Sequence, residues 1–137
     1  MSDTKVKIKK LSKIFGENPE KMVEHINNGV SKSDLLDKYN HVLGLYDVNI
    51  DIPKSSIQVI MGLSGSGKST LIRHINRLIE PTIGEIIVDA ENVLNMTKSE
   101  LRDFRRFRTS MVFQRFSLLP HRSVIENVSY GLVIQEI

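Results

Sequence analysis

Lys68 and Ser69 close a run in which glycines recur at fixed intervals: Gly62-Leu63-Ser64-Gly65-Ser66-Gly67-Lys68-Ser69-Thr70. The spacing is G-x-x-x-x-G-K-S, the pattern of a phosphate-binding P-loop. Its chemistry follows from the residue types. Gly62, Gly65 and Gly67 carry no Cβ, so the backbone can turn sharply and its N–H groups can converge on an anion. Lys68 supplies a point charge for the β- and γ-phosphates of a nucleotide. The Ser69 hydroxyl is suited to the Mg²⁺ that bridges them. Gly62, Ser64, Gly65, Ser66, Gly67, Lys68, Ser69 and Thr70 are therefore candidate nucleotide ligands.

Two further residues have chemistry to offer. Phe15 is core filler or a ring on which a nucleotide base stacks, a contact worth roughly 1–3 kcal/mol. Gln114 follows the apolar run Ser110-Met111-Val112-Phe113. At the C-terminal end of a strand its amide oxygen can hold Mg²⁺ or orient a water.

These groups need elements to position them. Residues 57–61 are short, apolar and rich in branched side chains, which predicts a buried strand feeding the loop. Leu71, Ile72, Ile75, Leu78 and Ile79 recur at helical spacing after it. Val6 and Ile8 alternate with lysines, which predicts an edge strand ending in a turn at Gly16. Residues 17–41 read as a helical insertion. Pro19 opens a first helix with Met22, Val23 and Ile26 as its apolar stripe, and Gly29 ends it. Ser33 reads as the N-cap of a second helix. His25 and His41 stand apart from other ligand-type residues and read as surface residues.

Strand character returns over residues 42–52, with a phase slip near Tyr46 and Asp47 that predicts a bulge. Residues 85–88 form another strand, and residues 110–113 a further one. Thr97 and Glu100, then Ser123 and Glu126, are two capping boxes that open helices. Leu101 and Phe104 face inward on the first. Arg102, Arg105 and Arg106 share a basic outer face, read as solvated rather than as a nucleic-acid surface.

Composition sets bounds. The chain has 137 residues, a net charge of +3, 40% hydrophobic and 26% charged residues, ordinary for one globular domain. It has no cysteine, which excludes disulfides, thiolate metal sites and thiol nucleophiles. Met1 to Lys10 is polar and basic, unlike a secretory signal, and no stretch is apolar for long enough to cross a bilayer.

The strings GLSGSGKST, NRLIEPTIGEIIVD and MVFQRFSLLPHRSVIENV closely resemble the ATPase subunit of ABC transporters. The quaternary-amine branch, importers of glycine betaine and proline, is the nearest match. VIMGLSGSGKST with NRLIEPT points to that branch, as does a helical insertion between KLSKIFG and LGLYDVNIDI.

The resemblance implies an α/β fold, the N-terminal half of a P-loop ABC ATPase, with an antiparallel β subdomain and a small helical insertion over about residues 17–41. It implies that Phe15 stacks on adenine, that residues 62–70 are the P-loop, and that Gln114 is the Q-loop glutamine touching Mg²⁺. It places a permease-facing loop over residues 115–127, opening on Arg115 and closing on Asn127, within a Q-loop region of 111–127. ATP and Mg²⁺ are the implied cofactors. A transmembrane permease and a second ATPase subunit are the implied partners, and the inner face of the plasma membrane is the implied location.

The family's signature motif, catalytic glutamate and switch histidine follow the Q-loop and have no counterpart in these 137 residues. The chain is thus expected to contribute no catalytic residue, to bind Mg-nucleotide and not to hydrolyse it alone. Two positions depart from the family pattern. Ser56-Ile57 replaces a usual Gly-Glu, and Ala90 a usual glycine, changes expected to loosen turns. A self-contained P-loop kinase is the alternative, with Asp89 as an acidic strand end. A non-catalytic nucleotide-binding module is another.

Overall fold

The computed structural model describes residues 3–114 and 118–136. The chain divides into two compact units, residues 1–95 and 96–137.

The first unit is built on a four-stranded antiparallel sheet in the order β2-β1-β3-β4. These are β1 (Thr4–Phe15), β2 (Val42–Pro53), β3 (Ile83–Val88) and β4 (Glu91–Asn92). β1 pairs on both sides, so it is an inner strand and not the expected edge. Its alternating lysines mark a solvent face rather than a free edge. Lys7 pairs with Asp51 at 3.1 Å across β2, and Lys9 with Glu85 at 3.4 Å across β3. Both are also register partners. Exposed pairs of this kind add about 0–1 kcal/mol, but a slipped strand would set them against the wrong neighbours.

The predicted phase slip in β2 is a bulge. Asp47 has φ 44°, and its amide donates to the hydroxyl of buried Ser12 at 2.9 Å. β1 has its own irregularity at Lys10, φ 48°, whose amide donates to Asn49 Oδ1 at 2.8 Å. Ile8, Leu11, Ile14 and Ile86 form the buried face of the sheet, each at most 2% exposed.

Between β1 and β2 stand a single 3-10 turn (Pro19–Met22), α1 (Val23–Asn27) and α2 (Lys32–Tyr39). Their apolar residues meet the sheet in a cluster of Ile14, Ile26 and Leu35, with Met22, Val23, Val30 and Leu43 around it. The cap of α2 is Ser31 and not Ser33: the Ser31 hydroxyl accepts from the Asp34 amide at 3.1 Å. His41 is buried, against the expectation of a surface residue. His25 lies against the Tyr39 ring, 4.7 Å between centroids.

β3 and β4 are joined by Asp89 and Ala90, at φ 49° and 68°. Left-handed backbone at both central positions is the two-residue hairpin geometry that glycine favours, so the turn forms despite its alanine.

Residues 57–61 were expected to be a strand and pair with none among the described residues. Ile57 and Met61 are 93% and 86% exposed. Residues 110–113 behave likewise, with Val112 95% exposed. Branched apolar side chains say that a segment fits a sheet, not that a neighbour is at hand to bond its backbone.

The second unit opens with α4 (Lys98–Asp103), which runs into a π-helical turn (Phe104–Arg108). α5 (Val124–Val128) and α6 (Tyr130–Gln135) follow. Both predicted capping boxes are formed, at Thr97 with Glu100 and at Ser123 with Glu126. Phe104 is buried as expected. Arg106 is not simply solvated: it pairs with Glu136 at 2.8 Å and lies 4.9 Å from the centre of the Phe107 ring. No described helix is long and apolar enough to cross a membrane.

Candidate functional site

The glycine-rich run leads into α3 (Lys68–Ile75), with Gly67 as its N-cap at φ 91° and Gly65 at φ 76°. Both conformations suit glycine and few other residues. The first internal bond of the helix, from the Leu71 amide to the Gly67 carbonyl, measures 2.8 Å. The amides ahead of Leu71 have no carbonyl behind them within the helix, which gives its start an anion-seeking end. Leu71 and His74 anchor the helix in the core.

Lys68 closes over its own loop. Its ammonium donates to the carbonyl oxygens of Gly62 at 2.8 Å and Leu63 at 2.7 Å, and reaches Ser66 Oγ at 3.3 Å. A Cβ on Gly62 would come within 2.7 Å of that serine oxygen.

The loop lies directly on the sheet. A Cβ on Gly67 would meet the Gly44 carbonyl oxygen at 2.7 Å, and a Cβ on Gly44 would meet Phe15 Cε2 at 2.6 Å. The glycine-rich loop, the β2 backbone at Gly44 and the Phe15 ring are therefore in close succession. A hollow of about 290 Å³ opens there, lined by Phe15, Val42, Leu43, Gly44, Gly65, Gly67, Lys68, Ser69 and Thr70. Half-exposed Phe15 forms one wall, and the head of α3 forms the other. The candidate base platform and the candidate phosphate ligands, distant in sequence, share one cavity.

Of the remaining sequence candidates, Ser64 and Ser66 lie in the loop itself, and Ser66 touches Lys68. Gln114 is exposed in a bend of the second unit. Arg115, Phe116 and Ser117 lie outside the described residues. The rest of the candidate permease loop presents Leu118, Val124 and Ile125 to solvent. Asn127 knits that loop together, taking the Leu119 amide at 2.7 Å and donating to its carbonyl at 3.1 Å.

Asp89 does not belong to the site. It pairs with Lys5 at 2.7 Å, at the far end of β1 from Phe15, about 30 Å along the strand. A metal-binding acidic strand end, the feature that favoured a small kinase, is thus not assembled. The described residues hold no group of three metal-ligating side chains.

Sequence reasoning missed two residues around the site. Gly44 is one; its signal was a glycine inside a strand pattern, which marks close backbone approach. His74 is the other, fully buried, with Nδ1 2.7 Å from the Thr70 carbonyl. Burial pushes its pKa below the ordinary value, against a smaller pull upward from that carbonyl. Nε2 has no aligned hydrogen-bond partner among the described residues.

Residues 45–136 match the ABC transporter family. The glycine betaine transport ATP-binding protein OpuAA of Bacillus subtilis is 48% identical over 96% of this chain and 31% of its own length. The glycine betaine/proline betaine transport ATP-binding protein ProV of Escherichia coli is 46% identical over 93% of this chain and 32% of its own. The chain thus spans about a third of the length of these relatives. Among solved structures, the dimeric ATP-binding cassette MJ0796, in a post-hydrolysis state bound to ADP and Pi, superposes with a TM-score of 0.72 at 31% identity. That match covers 95% of this chain and 47% of the cassette. This chain belongs to the ABC transporter family, and its fold is that of part of the family's ATP-binding cassette.

Proposed function

We propose that this chain is the nucleotide-holding part of an ATPase subunit that drives import of glycine betaine-type or proline-type solutes. The observation that carries the reading is the shared hollow, in which Phe15 faces Lys68, Ser69 and Thr70. The fit to Mg-ATP rests on residue types and on space. An aromatic wall suits a base. Gly67 lets the loop lie against the sheet where a Cβ would meet the Gly44 carbonyl, and a lysine and two hydroxyls line the hollow beside it.

Each group then has a task. Phe15 stacks the base. The amides of residues 62–70 and the start of α3 hold the phosphate chain. Lys68 balances the charge of the β- and γ-phosphates, and the Ser69 hydroxyl would hold the metal. Bound Mg²⁺ would supply neutralisation of the phosphate charge. None of these groups polarises an attacking water, so the chain holds nucleotide without cutting it.

The solute is read from OpuAA and ProV, whose names give glycine betaine and proline betaine transport, and the pairing of ATPase subunits from the dimeric cassette MJ0796. A permease would seat on the loop of residues 115–127, where Leu118, Val124 and Ile125 are exposed. A second ATPase subunit would pair with the complete protein, on the inner face of the plasma membrane. A steady-state ATPase assay tests the catalytic half of the proposal. Phosphate release by this chain should not exceed that of Lys68→Ala. Turnover that depends on Lys68 would contradict it.

A further inference from the structure

We propose that His41 is a positioning residue for the base-binding wall, and that through it the helical insertion holds Phe15 in place. The inference rests on the nucleotide reading above.

The insertion leaves the sheet after Phe15 and returns at Val42, and these two residues are register partners. The last rungs of the β1–β2 ladder are therefore Ile14 with Leu43 and Phe15 with Val42. Successive rungs face opposite sides of a sheet. Ile14 packs into the cluster beneath α1 and α2, Phe15 and Val42 line the hollow, and Leu43 touches both. Whatever fixes the two ends of the insertion also fixes the pair that forms the wall.

His41 does this. It is 7% exposed. Nε2 lies 2.7 Å from the Glu17 carbonyl oxygen, at the start of the insertion. Nδ1 lies against the Tyr39 carbonyl oxygen, at its end. Both partners are backbone carbonyl oxygens, one on each side of the insertion, and the tautomer decides which of them the ring donates to. The ring also lies on Gly16, the residue after Phe15: a Cβ there would sit 2.2 Å from His41 Cδ2. Gly16 has φ 148°, a conformation that favours glycine. The chain thus leaves β1 by a turn only glycine adopts easily, folded over a ring that ties the exit to the return.

The phosphate cradle is built separately, from the glycine-rich loop and α3. Loss of the clamp should loosen the seat of the base and leave that of the phosphates. The test measures equilibrium binding of ATP and of inorganic tripolyphosphate, each with Mg²⁺, to the full chain. The variants are His41→Ala, His41→Gln, which keeps an amide donor, and Gly16→Ala, which pushes the ring aside.

His41→Ala and Gly16→Ala should lose about tenfold in affinity for ATP, the size of a lost stacking contact, with tripolyphosphate affinity unchanged. His41→Gln should fall between them and the wild type. Tripolyphosphate binding doubles as the folding control. Equal loss for both ligands would mean that His41 supports the unit as a whole, and unchanged ATP affinity would mean that the wall stands without it. Either result overturns the proposal. A wild-type chain that binds neither ligand would instead overturn the nucleotide reading itself.

Discussion

Lys68 Nζ and the carbonyl oxygen of Gly62 stand 2.8 Å apart, at opposite ends of the glycine-rich loop. The loop is thereby folded around its own cation. Of the three ammonium hydrogens, two are well placed on the carbonyls of Gly62 and Leu63. The third reaches Ser66 Oγ only at 3.3 Å. That longer contact is the one a phosphate oxygen would take over, which leaves the loop's shape intact.

The β3–β4 turn gives a prediction about stability. Ala90 is held at φ 68°, where an L side chain costs about 1–2 kcal/mol. Glycine removes that cost but loses more freedom on folding. Ala90→Gly should therefore stabilise the first unit by roughly 0.5–1 kcal/mol. Urea unfolding checks it through a higher midpoint at unchanged slope.

Much of the site was legible because its signals are local. Gly62 to Thr70 are contiguous, so their types and spacing specify the cradle without reference to distant residues. The boxes at Thr97 and Ser123 are equally local. The bulge at Asp47 showed as a slip in the apolar alternation, and what completes it, the Ser12 hydroxyl, lies 35 residues away. The failures share the opposite cause. Residues 57–61 and 110–113 have the composition of strands, but pairing depends on a neighbour that composition cannot reveal. β1 resembled an edge because its lysines alternate, and their acidic partners come from the flanking strands. His41 read as a surface residue because the carbonyls that bury it belong to Glu17 and Tyr39.

His74 gives a prediction about pH. Burial lowers its folded-state pKa, from an unfolded value of about 6.5. Below that value the unfolded chain takes up a proton that the folded chain does not. Its contribution is then fully present above about pH 6.5 and is lost as the pH falls toward the lower folded value. His74→Leu removes the group and leaves His25, His41 and His121 in place. Thermal midpoints from about pH 7 to about pH 5.5 should fall more steeply for the wild type than for this variant. Parallel curves would show that His74 takes no part in the acid sensitivity.

The central claim is that Lys68 and the amides around it grip the phosphate chain of a nucleotide. Isothermal titration of Mg-ATP into the wild type and into Lys68→Ala tests it most directly. The account predicts saturable binding to the wild type and at least tenfold weaker binding to the variant, the scale of a charge-assisted hydrogen bond of about 1.5–3 kcal/mol. Equal affinities, or a wild type that shows no binding, would contradict it.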